Sequence, residues 1–397
     1  PFAGINGSGK HCNWSLVTDK GVNLLSPGKT PGKNLQFLSF FVSVIKAVYE
    51  HHHLLMASVA SLNNSHRLGG NEAPPAVMSV FVGRTLSSVL DSIERVVSDN
   101  ISAEEISRSL NVVGKIPEIL PDNTDRNRTS PFAFTGNRFE FRAVGSSVNV
   151  ASSMYILNTA VAQQLILFRE RATVRINAGA TNEEAILETI REFIAESVPV
   201  RFEGNGYSKE WQDEAARRGL RGISNVPEAF KAFLEKRSID LMKDMDVLSE
   251  KEVEARYEVM NEIYIKKLQI EARVIGDLTV NHIIPTAIKF QNTLIDNVRG
   301  IKDLFGPEEY KVMSERQLVA IRKISGYIQQ LREDFHNLVE ARKEANIIES
   351  YPERAMVYSN TVLPYMESIR KIVDKLEMVV DDELWPLPKY RELLFLR

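Results

Sequence analysis

The chain has 397 residues, with 49 basic and 52 acidic side chains and a formal net charge of −3. This length can bury the core of two or three domains. The nearly balanced charge excludes a protein that depends on clustered positive charge, so no nucleic acid is expected as a partner. A single cysteine excludes an intrachain disulfide framework and favours the cytoplasm.

No segment of the sequence predicts a membrane span. The most apolar stretch, residues 35–45, is interrupted by Gln36, Ser39 and Ser43 and is too short to cross a bilayer. No basic flank precedes an N-terminal apolar core, so no signal peptide is expected. The first residue is Pro1 and not Met, and we therefore expect the sequence to be a fragment of a longer protein.

The chain opens with a glycine-rich run, GINGSGKH at residues 4–11, which matches a P-loop except that His11 replaces the final Ser or Thr. A P-loop joins a buried strand to a helix. Too few residues precede Gly4 for such a strand, and the residues after Lys10 do not follow a helical period. A P-loop NTPase, which would need a helix from about Gly9, is the less favoured interpretation.

Residues 11–16 alternate and predict a strand. The polar face is either directed at a ligand, with His11 as a metal ligand, or simply solvated. The apolar face makes Cys12 a small core residue in preference to a nucleophile. The polar face comprises His11, Asn13 and Ser15, and the apolar face Cys12, Trp14 and Leu16.

The segment up to about residue 145 combines helices and strands. Leu35 to Leu62 predicts one buried helix packed on a sheet. Three consecutive histidines within it, residues 51–53, point about 100° apart on a helix, so a helix surface is favoured over a metal site. The other predicted elements are a buried strand over Ala76–Val82, an amphipathic helix over Thr85–Val97 and a strand around Phe139 and Phe141 entered by a turn at Gly136.

The remaining sequence is helical. Capping boxes start helices at Thr181 to Glu184 and at Ser249 to Glu252. Long apolar stripes follow over 253–268 and 312–338, and packing of an antiparallel bundle is favoured over a partner-binding surface. Pro285 and Pro364 should kink or divide these helices, and residues 204–208 are a turn before a helix from about Ser208 in preference to a phosphate loop.

Three polar clusters carry the candidate chemistry. They are the strand face at 11–15, the glycine-rich loop 64–75 with Arg67 and Glu72, and residues 125–142 with several arginines and Glu140. Together they offer ligands for a divalent cation, guanidinium groups for carboxylates or phosphates, and a loop carboxylate able to act as a base. This set suits phosphoryl transfer to a carboxylate.

The order of these motifs resembles glutamine synthetase. The resemblance is carried by NGSGxHxNxS at 6–15, the loop from Arg67 to Pro74, NRT at 127–129 and RxExR at 138–142. NEAPP at 71–75, FEFR at 139–142 and the long helical C-terminal region resemble the type III branch in particular. The resemblance implies an α+β fold, with the antiparallel sheet and packed helices of the catalytic domain over residues 1–145 and a helical region over 146–397.

The family's activity is the ATP-dependent ligation of ammonia to the γ-carboxylate of L-glutamate through γ-glutamyl phosphate. The resemblance implies ATP and Mg²⁺ or Mn²⁺ as cofactors and a homo-oligomer of stacked rings with active sites shared between subunits. The implied site residues are His11 and Glu140 for the metal, Asn6, Gly7, Arg67 and Arg142 for glutamate, and Asn13, Ser15 and Arg138 for ATP, with Arg128 on the transferring phosphoryl group and Glu72 taking a proton from ammonium.

The sequence also departs from the family pattern. Asn13 stands where a second histidine is common, and the loop from Arg67 to Glu72 is one residue shorter than usual. An arginine usual after the NRT motif is absent from residues 131–134, and Arg126 is a hypothetical substitute. The family's N-terminal β-grasp domain and most of its metal-binding glutamates are not in this sequence. We therefore expect that the chain alone does not turn over.

Two further functions stay open at the level of the sequence. One is a related ligase that joins a larger amine to the γ-carboxyl of glutamate. The other is a non-catalytic helical assembly module, which would be favoured if His11, Glu140 and Arg142 did not converge in space.

Overall fold

The structure is a computed structural model, and it describes residues 11–28, 30–65, 75–94, 129–145, 148–220, 222, 225–389 and 392. The chain divides into two compact units, Pro1–Tyr257 and Glu258–Arg397. The expected boundary between catalytic-domain sequence and helical region, at residue 145, is not tested by this division and stays a prediction.

A small four-stranded sheet organises the first unit, in the order β1-β4-β3-β2. β1 pairs antiparallel with β4, and β4 with β3, but β2 runs parallel to β3 with Val80 opposite Phe132. The α+β class is confirmed, whereas the expected antiparallel sheet is wrong, because a long crossover containing a helix separates β2 from β3 and allows parallel pairing. The strands are β1 Cys12–Trp14, β2 Val80–Phe81, β3 Phe132–Phe134 and β4 Phe139–Phe141.

Aromatic side chains fill the core between this sheet and the helix Pro31–Glu50, α1. Gly136 turns β3 into β4 with a φ of +98°, a left-handed conformation that favours glycine, as the sequence predicts. The Phe41 ring lies 5.6 Å from that of Phe139 and 4.9 Å from that of Phe134. The apolar faces of β3 and β4 are therefore covered, which leaves the alternate residues of β4 on the opposite side.

The single helix expected over Leu35–Leu62 is divided into α1, α2 (His52–Val59) and α3 (Leu62–Ser65). The break falls at His51, whose φ of −118° and ψ of 22° are not helical. The predicted burial is confirmed, since every apolar residue of α2 lies in the core. The shorter β2 within the expected strand 76–82 and the helix Arg84–Glu94, α4, follow along the chain.

The three histidines at 51–53 are buried, with exposures of 4%, 6% and 7%, so the expected helix surface is wrong. Each contacts a different partner. The distances are 3.0 Å from His51 Nε2 to Gln163 Oε1, 2.7 Å from His52 Nδ1 to the Tyr49 carbonyl and 3.0 Å from His53 Nε2 to Glu235 Oε2. No group of three or more metal-binding side chains occurs among the described residues.

Helices make up the rest of the first unit. Thr181 forms the expected capping box: its hydroxyl accepts from the Glu184 N–H, and the Glu184 carboxylate accepts from the Thr181 N–H at 2.8 Å. At Ser249 the Glu252 carboxylate accepts from the backbone N–H in the same way. The helices are α5 Ala151–Asn177, α6 Asn182–Glu196, α7 Lys209–Arg217, α8 Val226–Phe230 and α9 Lys236–Asp244, with short 3₁₀ turns at Val198–Val200 and Lys231–Leu234.

Long helices follow. At each of the two prolines that were expected to kink or divide a helix, the structure has a wide π turn. The turns are Thr279–Ile283 and Tyr358–Val362, immediately before the helices that contain Pro285 and Pro364. A π turn moves the carbonyl away from the proline ring and leaves the chain helical. The α-helices are α10 Glu250–Leu278, α11 Ile284–Leu304, α12 Pro307–Ile347, α13 Tyr351–Val357 and α14 Leu363–Glu377.

The expected apolar stripes lie mainly inside. Leu268, Ile324, Leu331 and Leu338 are fully buried, which confirms their prediction as core residues. Within the described ranges, no helix combines the length and the hydropathy that a bilayer crossing requires.

Candidate functional site

The polar residues of β1 and β4 share one face of the sheet. Asn13 lies directly opposite Glu140, and Trp14 opposite Phe139. Because successive residues alternate between the two faces of a strand, residues two positions apart lie on the same side. This surface, called the polar face below, therefore contains His11, Asn13, Ser15, Arg138, Glu140 and Arg142.

His11 and Glu140 meet on the polar face. Their Nδ1 and Oε1 atoms lie 2.8 Å apart, although the two residues are 129 positions apart in the sequence. The His11 side chain is 34% exposed and that of Glu140 is 12% exposed, so the pair is reachable from solvent. His11 and Glu140 are two of the three side chains whose convergence, together with Arg142, would disfavour an assembly module.

The pair fits a divalent cation. An imidazole nitrogen and a carboxylate oxygen are donors that Mn²⁺ accepts, and the carboxylate also suits Mg²⁺. Two ligands at about 2.1 Å from one cation and at right angles lie about 3 Å apart, close to the separation seen here. Two donors do not complete a coordination shell, so the remaining positions are open to water, phosphate oxygens or other residues.

Arg142 lies at the end of the polar face and is anchored to the neighbouring strand. Its side chain is only 3% exposed. Its Nη1 donates to the Ser130 carbonyl at 3.1 Å, and its backbone N–H donates to the Pro131 carbonyl at 2.8 Å. The Ser130 hydroxyl in turn accepts from the Ser79 hydroxyl at 2.8 Å. The guanidinium is therefore held beside Thr129 and Ser130, next in sequence to Arg128.

Ser15 is fixed by contacts that sequence reasoning missed. Its Oγ lies 2.9 Å from Asn23 Oδ1 and 3.0 Å from the Asn137 carbonyl, and Asn23 Nδ2 donates to that carbonyl at 2.8 Å. This network ties the end of β1 to the β3–β4 turn. Asn13 and Arg138, by contrast, are exposed at the surface of the polar face. Asparagines near turns are common, so no sequence signal distinguishes Asn23.

Cys12 lies on the opposite side of β1. Its Sγ is 3.4 Å from Met154 Sδ, and the residue is half-buried. Burial raises the pKa of the Cys12 thiol, which keeps it protonated and weakly nucleophilic at neutral pH. The expectation that Cys12 is a packing residue is confirmed.

The P-loop interpretation does not fit the strand. Cys12–Trp14 is extended and paired with β4, where a P-loop would require a helix. The other expected site residues, Asn6, Gly7, Arg67, Glu72 and Arg128, together with Arg126, lie outside the described residues. The structure therefore brings His11 and Glu140 into contact and aligns four further expected residues on their face.

The polar face thus combines an imidazole–carboxylate pair with guanidinium groups, and these are donor types that metal-assisted phosphoryl transfer can use. A sequence model of the glutamine synthetase C-terminal domain family matches residues 185–302. The chain is also 50% identical over 396 residues to a glutamine synthetase of Bacteroides fragilis (strain YCH46). The chain is therefore similar to members of the glutamine synthetase family, and the similarity extends beyond the residues that the family model matches.

Two other relatives are also similar to the entire chain. A type-3 glutamine synthetase of Dictyostelium discoideum is 40% identical over 398 residues, and a glutamine synthetase of Butyrivibrio fibrisolvens is 35% identical over 399 residues. Each alignment covers 100% of this chain, but only 54%, 54% and 55% of the three relatives. The chain thus spans about half the length of the relatives it matches.

Proposed function

We propose that this chain forms part of an enzyme that ligates ammonia to the γ-carboxylate of L-glutamate, using ATP and passing through γ-glutamyl phosphate. The products are glutamine, ADP and phosphate. The observation that carries the proposal is the contact of His11 with Glu140 on the polar face. The identity to relatives named glutamine synthetase supports the reaction.

His11 and Glu140 are the proposed ligands of Mg²⁺ or Mn²⁺. When bound, such a cation would supply Lewis-acid polarisation of phosphate oxygens and a template for their alignment. The imidazole and the carboxylate come from different strands of one sheet, so the backbone ladder holds both donors in place. Sites on rigid elements keep their geometry better than sites on loops.

The arginines and neighbouring polar groups would bind the organic substrates. Arg142, whose guanidinium is buried and already oriented by the Ser130 carbonyl, is proposed to bind the glutamate carboxylate. Asn13, Ser15 and Arg138 are proposed to contact ATP along the exposed part of the polar face. By resemblance, Asn6, Gly7 and Arg67 are further glutamate ligands, Arg128 stabilises the transferring phosphoryl group, and Glu72 accepts a proton from ammonium.

We further propose a homo-oligomer of stacked rings in which neighbouring subunits share each active site. Because the chain spans about half of its relatives, the isolated 397-residue polypeptide is not expected to form glutamine.

The function is tested by supplying the full-length protein that carries this sequence with glutamate, ATP, Mg²⁺ and one amine. With ammonium, we expect glutamine, ADP and phosphate in equal amounts, detected by mass spectrometry and phosphate release. Methylamine and ethanolamine, as matched larger amines, are expected to react much more slowly. If a larger amine is ligated faster than ammonium, that amine takes the place of ammonia as the proposed substrate. If no amine is ligated, or if ligation does not require ATP, the proposal is contradicted.

A further inference from the structure

Segment 201–206, in the region that matches the glutamine synthetase C-terminal domain, extends the sheet at its β2 edge. Arg201 bridges Val80 in parallel register, and the Phe202 N–H donates to the Val80 carbonyl at 2.9 Å. The residues just before the predicted turn at 204–208 therefore form an isolated parallel bridge at the β2 edge of the sheet.

Charged groups of this segment fix α4 at both ends. The Glu203 carboxylate accepts from the Val82 N–H at 2.9 Å and from the Gly83 N–H at 3.0 Å, just before α4 begins. Arg201 reaches the other end, where its guanidinium lies 3.0 Å from Asp91 Oδ1 and 3.3 Å from Glu94 Oε2. The Arg201 side chain is 7% exposed, whereas those of Asp91 and Glu94 are 43% and 34% exposed, so water still screens these ion pairs in part.

The same segment then closely approaches Thr129 and Pro75, which are near the proposed catalytic residues Arg128 and Glu72 in the sequence. A Cβ atom added to Gly206 would overlap the carbonyl oxygen of Thr129 and the ring of Pro75. Thr129 follows Arg128 directly, and Pro75 follows Glu72 by three residues. No residue with a side chain fits at Gly206 unless the backbone at Thr129 moves.

Helix α7 holds the segment in this position. The Phe202 ring stacks on the Trp211 ring, with centroids 3.6 Å apart and an angle of 17° between the planes. Arg218 Nη1 donates to the carbonyls of Arg201 at 3.0 Å and Pro199 at 3.3 Å. Trp211 is only 1% exposed, so the anchor belongs to the core of the helical region.

We infer that Gly206 and Glu203 are positioning residues, through which the helical region sets the backbone at Thr129 and at the start of α4 for the reaction. This inference rests on the proposed function. Gly206 acts by permitting close approach, and Glu203 acts by orienting two backbone N–H groups. A displacement on the order of 1 Å in a group that contacts the reacting atoms can lower a rate about 100-fold.

The test compares Gly206→Ala with Gly32→Ala in the full-length protein. Gly32 is a matched control, because a Cβ there has no neighbour within 4 Å. For Gly206→Ala we expect kcat per folded site to fall about 100-fold, while the KM for ATP changes less than about twofold. Gly32→Ala is expected to keep both values. Native-like kcat per folded site in Gly206→Ala would overturn the inference.

A second, milder pair covers the case in which Gly206→Ala does not fold. Glu203→Gln keeps the size of the side chain but faces one of the two backbone donors with an amide NH₂, and about a tenfold fall in kcat is expected. Glu210→Gln, at an exposed position of α7, is its control. A kcat of Glu203→Gln equal to that of its control would also contradict the inference. If the wild type and both controls form no glutamine, the proposed function fails instead. Hydrogen exchange at Val82 and Gly83 then tests the positioning alone: it should be faster in Glu203→Gln than in Glu210→Gln, and equal rates would contradict the inference.

Discussion

The three histidines at residues 51–53 are buried although their side chains are polar. Burial lowers the pKa of His51 and of His52, because desolvation disfavours the charged imidazolium, and nearby Arg237 acts in the same direction. His52 Nδ1 donates to the Tyr49 carbonyl, so the neutral ring is already satisfied. The sequence favours a surface position for these histidines, because three consecutive helical residues point in different directions, and it does not show which elements cover them.

Acid should therefore destabilise the first unit. A histidine whose pKa is lower in the folded state binds a proton more readily when the protein is unfolded. Its contribution to the free energy of unfolding is therefore fully present above the unfolded pKa, near 6.5, and is lost as the pH falls toward the folded pKa. The slope is at most about 1.4 kcal/mol per pH unit for each such group. Urea unfolding, followed by the fluorescence of Trp14 and Trp211 of the first unit in a Trp385→Phe background, measures this slope.

His52→Asn is the informative variant, because an amide nitrogen can replace Nδ1 as donor to the Tyr49 carbonyl while removing the titration. We expect its unfolding free energy to depend less on pH between about 6.5 and 5 than that of the parent. His282→Asn, at an exposed position, is the control. Equal pH dependence in His52→Asn and the parent would contradict burial of a neutral His52.

At the level of elements, the alternation of polar and apolar residues predicted which side chains share the polar face, but not which strands pair. Period two at residues 11–15 and 138–142 was sufficient to separate polar from apolar faces, and the structure keeps that separation. Which strands pair is a tertiary outcome: β1 meets β4 across 129 residues, and β2 runs parallel to β3 because of the crossover. Local patterns carry no information about such pairings.

Helix ends were more predictable, since capping depends on neighbouring residues. Thr181→Ala should remove the hydroxyl that accepts from the Glu184 N–H and destabilise α6 by about 1 kcal/mol. Thr181→Ser keeps the hydroxyl and should stay close to the parent. The unfolding free energies of the two variants, measured in urea at neutral pH, provide the comparison. An unchanged value for Thr181→Ala would mean that the cap contributes nothing to the first unit.

The wide turns at Thr279–Ile283 and Tyr358–Val362 refine a correct expectation. The backbone N–H of the first residue after each turn donates to the carbonyl five residues earlier. Ile284 donates to Thr279, and Leu363 donates to Tyr358. Proline was expected to interrupt the helix because it lacks a donor. The sequence does not distinguish a π turn from a sharp kink, since proline can produce either, and the buried positions of Ile283 and Tyr358 within the turns emerge only in the folded chain.

On the scale of the whole molecule, we expect the proposed chemistry to need groups beyond those of this chain. Its polar face supplies two metal donors, and no cluster of three or more such side chains is found among the described residues. The relatives are almost twice as long as this chain. We expect no glutamine from the isolated 397-residue polypeptide under conditions in which the full-length protein is active. Steady turnover by the isolated chain would show that the site is complete within it.

The central claim is that His11 and Glu140 hold the catalytic cation on the polar face. The most direct test titrates Mn²⁺ during glutamine formation by full-length wild type, Glu140→Gln and Glu235→Gln. Glu235 is a matched control because it also contacts a histidine, His53, at 3.0 Å. Glu140→Gln should raise the Mn²⁺ concentration for half-maximal rate by about tenfold or more, whereas Glu235→Gln should leave it unchanged. An unaltered Mn²⁺ requirement in Glu140→Gln would contradict the account.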